Sequence, residues 1–271
     1  MTAWAALRWR GANFFDGAES DGRELPIPLV TGGCTLRRAA GSWVSMEQFG
    51  PTEREIVAGV PCATVQRALF DEMRREHIIR QAAVAMDMAV AAGLISVRLM
   101  SAYVLQRPAW TGVPLVRQAL LLADEDSRSP QETRMRLVWV IDAELPRPLC
   151  NRPVFDLAGR LLGYPDLFDP VGGVVGEYDG ADHKDIDRHR SDVAREQVFR
   201  DHGLEYFAVV AGDLRNRDLV VQRMRNTRRR ARFLPPGERP WTLTPPPWWP
   251  VRQSLDESLA RTVRASSLTH T

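Results

Sequence analysis

The ten residues GEYDGADHKD, 176–185, hold Glu177, Asp179, Asp182, His183, Lys184 and Asp185, and Lys184 is the single lysine of a chain otherwise served by arginine. On a strand, side chains alternate between faces, so VVGEYDG puts Val175, Glu177 and Asp179 on one side and Val174, Gly176 and Tyr178 on the other. Asp166, in PDLFD, sits before the DPVGG connection and can return its carboxylate to the same end. Carboxylates gathered in one place raise each other's pKa, and a divalent cation is the usual compensation. Oxygen ligands of this kind suit Mg²⁺ or Mn²⁺, which keep water and substrate phosphate in their remaining positions. The chemistry such a site supports is hydrolysis of a phosphodiester, with charge neutralisation and water activation supplied by the metal. His183 can titrate near neutrality and Lys184 supplies a fixed cation, so either can orient the water, take its proton or hold the phosphate.

Other residues of the right type have alternative uses. Glu132 in SPQE fits the far end of a capping box with Ser129, a helix-end role that competes with metal binding. Asp169-Pro170 reads as a turn former. His189, Asp192, Arg195 and Glu196 share one helical face and can form surface ion pairs there. From Arg215 to Arg232 the sequence RNRDLVVQRMRNTRRRAR sets a run of arginines, among them Arg223, Arg228, Arg229 and Arg230, against one aspartate. That local composition suits a polyanion, although the net charge of the whole chain is only +2.

The elements that must position these groups divide the 271 residues into three regions. Residues 1–124 read as mostly helical, from AWAALRW and an extended LPIPLV through ATVQRALFDEMRRE and IIRQAAVAMDMAVAAGLI to VRLMSAYVLQ, which Ser96 can cap. No convergent polar cluster stands out in this half, which reads as scaffold. Residues 125–233 read as a helix opening at Ser129-Pro130, an antiparallel meander of three strands (VFDL, LLGYPDLFD, VVGEYDG), a helix ended by Gly203, a strand EYFAVVAGD and an arginine-rich helix. That order is a small α/β domain. Residues 234–271 carry PPGERPWTLTPPPWWPVR, where proline at this density argues against regular structure and Trp241, Trp248 and Trp249 can anchor an extended arm.

An apolar fraction of 44% is ample for packed cores. Cys34, Cys62 and Cys150 are far apart and form no C-x-x-C pair, which argues against a zinc knuckle or a disulfide framework. No apolar run reaches the roughly 18 residues of a membrane span, and MTAWAALRWRG is too short and too punctuated by arginine for a secretory signal. The expected location is the cytoplasm.

SPQETRMR, PDLFD, VVGEYDGADHK and DVAREQVFRDHGLEYFAVVAGDL together resemble the DUF559 endonuclease-like proteins, a branch of the very-short-patch-repair-like PD-(D/E)XK nucleases. The likeness covers residues 128 to about 233. VPCATVQRALFDEMRRE and MDMAVAAGLISVRLM are similar to the AbiEi-type antitoxin-like region that precedes such modules, here without a full winged helix. The resemblance implies an α+β, restriction-endonuclease-like mixed sheet behind a helical amino-terminal region. It implies metal ligands at Glu132, Asp166 and Glu177, further site residues at Asp179, His183 and Lys184, and phosphate contact by Arg195 of the D-x-x-R element with Asp192. One departure is Asp179, which stands where the broad superfamily has the lysine of E-x-K. The expected activity is Mg²⁺- or Mn²⁺-dependent hydrolysis of DNA, in repair, defence or mobile-element biology, with DNA as partner and no membrane. The alternative is a non-catalytic DNA-binding regulator or antitoxin-like protein that keeps the nuclease fold. A homodimer, and a toxin partner under the second reading, are the protein partners these readings allow.

Overall fold

The structure is a computed structural model. It describes the chain except residues 20, 34–38, 181–185, 251–252 and 269–271, and within helices it describes no side chains for 186–193 and 262–268. The architecture is mixed α/β and divides into two compact units, one built from Met1–Glu125 with Gln253–Thr271 and the other from Asp126–Arg252. Among the described residues no helix is long and apolar enough to cross a membrane.

The first unit begins with α1 (Ala3–Trp9) and four short strands, β1 (Ile27–Val30) parallel to β2 (Ser42–Ser45), and the hairpin β3 (Arg54–Val57) with β4 (Val60–Ala63). The helices α2 (Val65–Arg75), α3 (Ile79–Ala91), α4 (Val97–Leu105) and α5 (Val113–Leu122) follow. Nine consecutive residues of α3, Ala82–Val90, are buried, eight of them apolar and the ninth Asp87, whose Oδ1 accepts from the Asp124 amide at 2.8 Å. Ser96 caps α4 as its sequence suggests, its Oγ accepting from the Leu99 amide at 3.1 Å.

A convergent polar cluster, not anticipated in this half, lies among these helices. The guanidinium of Arg67 is 0% exposed and donates from Nε to both oxygens of Asp71 at 3.0 Å, from Nη1 to Glu53 at 3.0 Å and from Nη2 to Glu47 at 2.7 Å. Tyr103 donates its hydroxyl to Glu53 at 2.6 Å and Arg107 approaches the same carboxylate at 2.9 Å. The Arg67 guanidinium also lies over the rings of Phe49 and Trp110, at 5.2 and 5.0 Å. Buried charges survive only when paired and fully hydrogen-bonded, and these are. The cluster was missed because its members are scattered from residue 47 to residue 107 with no spacing in common.

Glu72, one residue on from Asp71, has a different fate. Burial, then the nearby charge of Glu76, raises its pKa from 4.5 to about 7, against the opposing Arg75 charge and the Trp4 amide, which donates to Oε2 at 2.9 Å. An acid raised on folding favours the native state below its unfolded pKa, and that contribution is lost as pH climbs through the folded value. Glu72→Gln keeps an acceptor for Trp4. We expect the variant to match the wild type near pH 4.5 and to exceed it by about 3 kcal/mol at pH 8, read by urea denaturation at both pH values. A constant difference across that range would show that Glu72 does not titrate there.

The second unit opens on α6 (Pro130–Leu137), capped by Ser129 with Pro130 at its first position, and passes into a π-helical turn, Val138–Asp142. The strands β5 (Val154–Asp156), β6 (Leu161–Gly163), β7 (Leu167–Asp169) and β8 (Val174–Asp179) come next, then α7 (Ile186–Asp201), β9 (Glu205–Val210) and α8 (Arg217–Arg230). The expected three-strand meander is in fact split between two sheets. LLGYPDLFD breaks at Tyr164-Pro165-Asp166, where proline can donate nothing to a ladder, so β6 stays with β5 and β7 pairs with β8. β8 then runs parallel to β9 through the α7 crossover.

The sheet β7-β8-β9 has two apolar faces. On one, Leu167, Val174, Phe207 and Val209 pack with Met135 and Trp139 and with Val220 and Met224 of α8; Trp139 and Phe207 stack 7° from parallel. Gly176 lies beneath that pair, where a Cβ would meet the Phe207 ring at 2.4 Å, which explains the glycine in VVGEYDG. On the other face, Phe168, Val175 and Leu204 pack with Phe199 of α7 and with Val154, Leu162 and Trp241.

The proline-rich stretch is more ordered than its composition suggests. Trp241–Thr242 forms β10 against β5, with the Trp241 ring edge-on to Phe168. A last helix, α9 (Leu255–Leu268), belongs to the first unit, where Asp256 accepts from Ser96 Oγ at 2.5 Å and from Arg98 Nε at 2.6 Å.

Candidate carboxylate site

The register of β7 and β8 builds the site. Leu167 stands opposite Gly176, so the next pair outward is Asp166 with Glu177. Alternation gives both the same face as Phe168 and Val175, the face covered by α7. Asp166 Oδ2 accepts from the Tyr178 amide at 2.8 Å, which pins it across the end of the pair. Glu177 is 8% exposed; its Oε2 faces Arg195 Nη1 of α7 at 3.4 Å, and its Oε1 is buried without a hydrogen-bond partner among the described residues.

Both acids sit well above the ordinary carboxylate range. For Glu177 the cause is burial and then the charge of Asp166, with Glu132 and Asp179 adding to it and Arg195 opposing. For Asp166 it is burial and then Glu132, opposed by the Tyr178 amide, Arg195 and Arg128. Asp179 shares the face of Glu177 on β8 and is half-buried.

Glu132 contributes charge from a fixed post. Its amide donates to Ser129 Oγ at 3.2 Å, and its Oε2 accepts from the Arg128 amide at 2.9 Å and from Asn151 Nδ2 at 2.7 Å. The cap reading therefore holds in the structure, with Arg128 rather than Ser129 supplying the reciprocal amide. Among the described residues no set of three or more His, Cys, Asp or Glu side chains converges so as to hold a metal ion, so Glu132 does not complete a triad with Asp166 and Glu177. What converges is the pair. Two carboxylates suffice for Mg²⁺, which usually takes one or two and fills the rest of its shell with water and phosphate. The unpartnered Oε1 of Glu177 is the kind of atom such an ion would satisfy.

His183 and Lys184 lie outside the described residues, as does the side chain of Asp192. Glu196 pairs with Arg200 at 2.7 Å, a surface ion pair as its spacing suggests.

The arginines of α8 occupy the other side. Val220 and Met224 of α8 share one core cluster with Val174 and Leu167, on the face away from Asp166 and Glu177. Two of the arginines expected to meet nucleic acid are committed within the fold. Arg223 binds Ala208 O and Asp213 Oδ2 at 2.5 and 2.6 Å, and Arg228 binds the buried Asp169 at 2.8 Å with its guanidinium over Phe233. Arg230 pairs with Glu205 at 3.2 Å on an exposed surface, and Arg229 is exposed beside Asn226. Asp169 also accepts from the Val171 amide at 3.0 Å, the turn use its proline neighbour suggests.

Asn151 and Arg128 were not singled out from the sequence. Asn151, at φ 48°, bridges Glu132 to the Asp126 carbonyl, and asparagine's tolerance of the left-handed region was the signal available in CNRP. The sequence matches no family model, and no curated protein or solved structure is significantly similar to it.

Proposed function

We propose that residues 126–252 form a metal-dependent nuclease of the PD-(D/E)XK type that hydrolyses DNA phosphodiester bonds. The observation that carries this reading is the opposed pair of half-buried Asp166 and buried Glu177, with Oε1 of Glu177 lacking any partner among the described residues. A buried carboxylate oxygen without a donor is costly, and a fold tolerates it best where something else completes it. Asp166 and Glu177 would hold Mg²⁺ or Mn²⁺, which when bound neutralises phosphate charge and eases deprotonation of water. The Tyr178 amide fixes one oxygen of Asp166 and so aims the other. Arg195 restrains Glu177 and, being half-exposed, can also take a phosphate oxygen. Glu132 and Asp179 add negative potential that favours a cation. Proton transfer falls to His183 or Lys184, which follow β8 in the chain.

A second reading, a DNA-binding regulator or antitoxin-like protein without turnover, draws on Asp179 in place of the E-x-K lysine and on Arg195, whose own positive charge partly compensates Glu177. Incubation of supercoiled plasmid with Mg²⁺ or Mn²⁺ separates the two. The nuclease reading expects nicking or linearisation by the wild type and none by Asp166→Ala. DNA retained in a gel shift but never cut, by either protein, would establish the regulator instead.

A further inference from the structure

Phosphodiester hydrolysis calls for cations and acids, yet the same unit carries an aromatic hollow that this chemistry does not use. It measures about 700 Å³, within the usual size range of small-molecule sites, and is lined by Tyr164, Trp249, Leu149 and Leu243 with Arg128 and Arg152 among its polar residues. Tyr164 and Trp249 face each other with ring centres 6.4 Å apart, tilted by 41°. The Arg128 guanidinium lies 5.6 Å from the Tyr164 ring centre. Trp249 is held from behind by the buried ring of Phe155, edge-on at 4.8 Å, and by a turn in which its amide donates to Pro246 O at 2.9 Å. The prolines of TPPPWWP thus have a structural use, as a stiff mount for one indole.

The hollow adjoins the carboxylates through shared residues. Tyr164-Pro165-Asp166 are consecutive, Asn151 lines the hollow and holds Glu132, and the Arg128 amide binds that same glutamate. Arg128 is exposed, and Arg152 is half-exposed with Asp126 at 3.2 Å. Aromatic rings interleaved with arginines are what single-stranded nucleic acid uses, the rings stacking on bases and the arginines meeting phosphate or adding cation–π contact.

We infer that this hollow receives one unstacked base of the nucleic-acid strand whose phosphodiester lies at Asp166 and Glu177. The inference rests on the nuclease reading for its substrate and names that substrate as single-stranded, or locally unpaired, nucleic acid. A fully stacked duplex keeps its bases out of reach of such a hollow.

The test uses the full chain in EDTA, so that binding is read without turnover. Fluorescence anisotropy compares a short labelled single strand, an abasic strand with the same number of phosphates, and the matched duplex. The base-bearing strand is expected to bind about tenfold or more tighter than either competitor, and Trp249→Ala and Tyr164→Ala are each expected to remove about tenfold of that affinity while leaving the abasic strand unchanged. Should Trp249→Ala fail to fold because Phe155 loses its neighbour, Tyr164→Ala and Trp249→Phe carry the comparison, with Trp249→Phe retaining most of the binding. Equal affinity for base-bearing and abasic strands, no binding to either, or indifference of the single strand to Tyr164→Ala in a folded protein, overturns the inference. Plasmid cleavage is scored separately: a protein that selects bases but never cuts loses the nuclease reading and keeps the hollow, and one that cuts without selecting bases does the reverse.

Discussion

Glu177→Gln is expected to abolish cleavage of DNA and, in the same tube without metal, to unfold at a higher temperature than the wild type. The first effect follows from charge. Glutamine preserves the shape of the side chain but cannot carry the negative charge that would hold a divalent cation, and losing several kcal/mol of transition-state stabilisation corresponds to a rate loss on the order of 10³-fold. The second follows from burial. Glu177 is buried, its pKa is raised by burial and by Asp166, and one oxygen has no partner among the described residues, so its ionised form opposes folding. The sign is that of any acid raised on folding. The penalty is absent below the ordinary carboxylate pKa and grows as pH rises, so the variant's advantage should be small near pH 4.5 and reach roughly 1–3 kcal/mol at pH 8. Adding Mg²⁺ should narrow the gap by stabilising the wild type alone. A variant that still cuts, or one that melts lower than the wild type at pH 8, would remove the physical basis for a cation site at this pair.

Arg67→Ala should cost about 3–5 kcal/mol and in a marginal fold unfold the first unit outright. The guanidinium is fully buried and serves Glu47, Glu53 and Asp71 at once, so its loss leaves Glu53 and Asp71, each also buried, without their shared counter-charge. Tyr103 and Arg107 continue to serve Glu53, and Arg74 stays with Asp71, which is why the loss is not larger. Arg67→Lys should recover only part, because an ammonium cannot reproduce a planar fork that engages three acids. Burial alone would raise Glu53, but the Tyr103 hydroxyl, the Gly50 amide and Arg67 outweigh it and hold its pKa below 4.5. An acid lowered on folding stabilises the native state above its unfolded pKa and loses that contribution as pH falls through the folded one. Wild type and Arg67→Ala should therefore converge in acid and separate above pH 5, as urea titrations at the two pH values would show. Equal denaturation midpoints at neutral pH would mean the cluster contributes nothing to stability.

Local signals carried much of this structure. Ser129-Pro130 gave the start of α6, Ser96 the cap of α4 and Gly203 the end of α7, because each records a backbone requirement confined to a few neighbours. Alternation along VVGEYDG placed Glu177 with Val175 correctly, and one more register step brought Asp166 opposite it. What escaped was long-range partnership. Nothing in the arginine run shows that Arg228 is matched to Asp169 or that α8 covers the face away from the acids; those outcomes depend on which face of a two-sided sheet each helix takes. LLGYPDLFD read as one strand because its hydrophobic pattern is continuous, while the decision to split it was made by a proline and by partners in two different sheets. The Arg67 cluster likewise joins loops and helices that no window of sequence spans.

The pairing of Asp256 with Ser96 and Arg98 sets an order of events during synthesis. Residues 126–252 emerge from the ribosome as an uninterrupted stretch and can settle as soon as β10 is available to β5, whereas the helical unit must wait for α9 before its Ser96 and Arg98 side chains find Asp256. The part of the chain made first is thus the part completed last, and a nascent chain halted before residue 255 would carry a closed carboxylate unit behind an unfinished amino-terminal one.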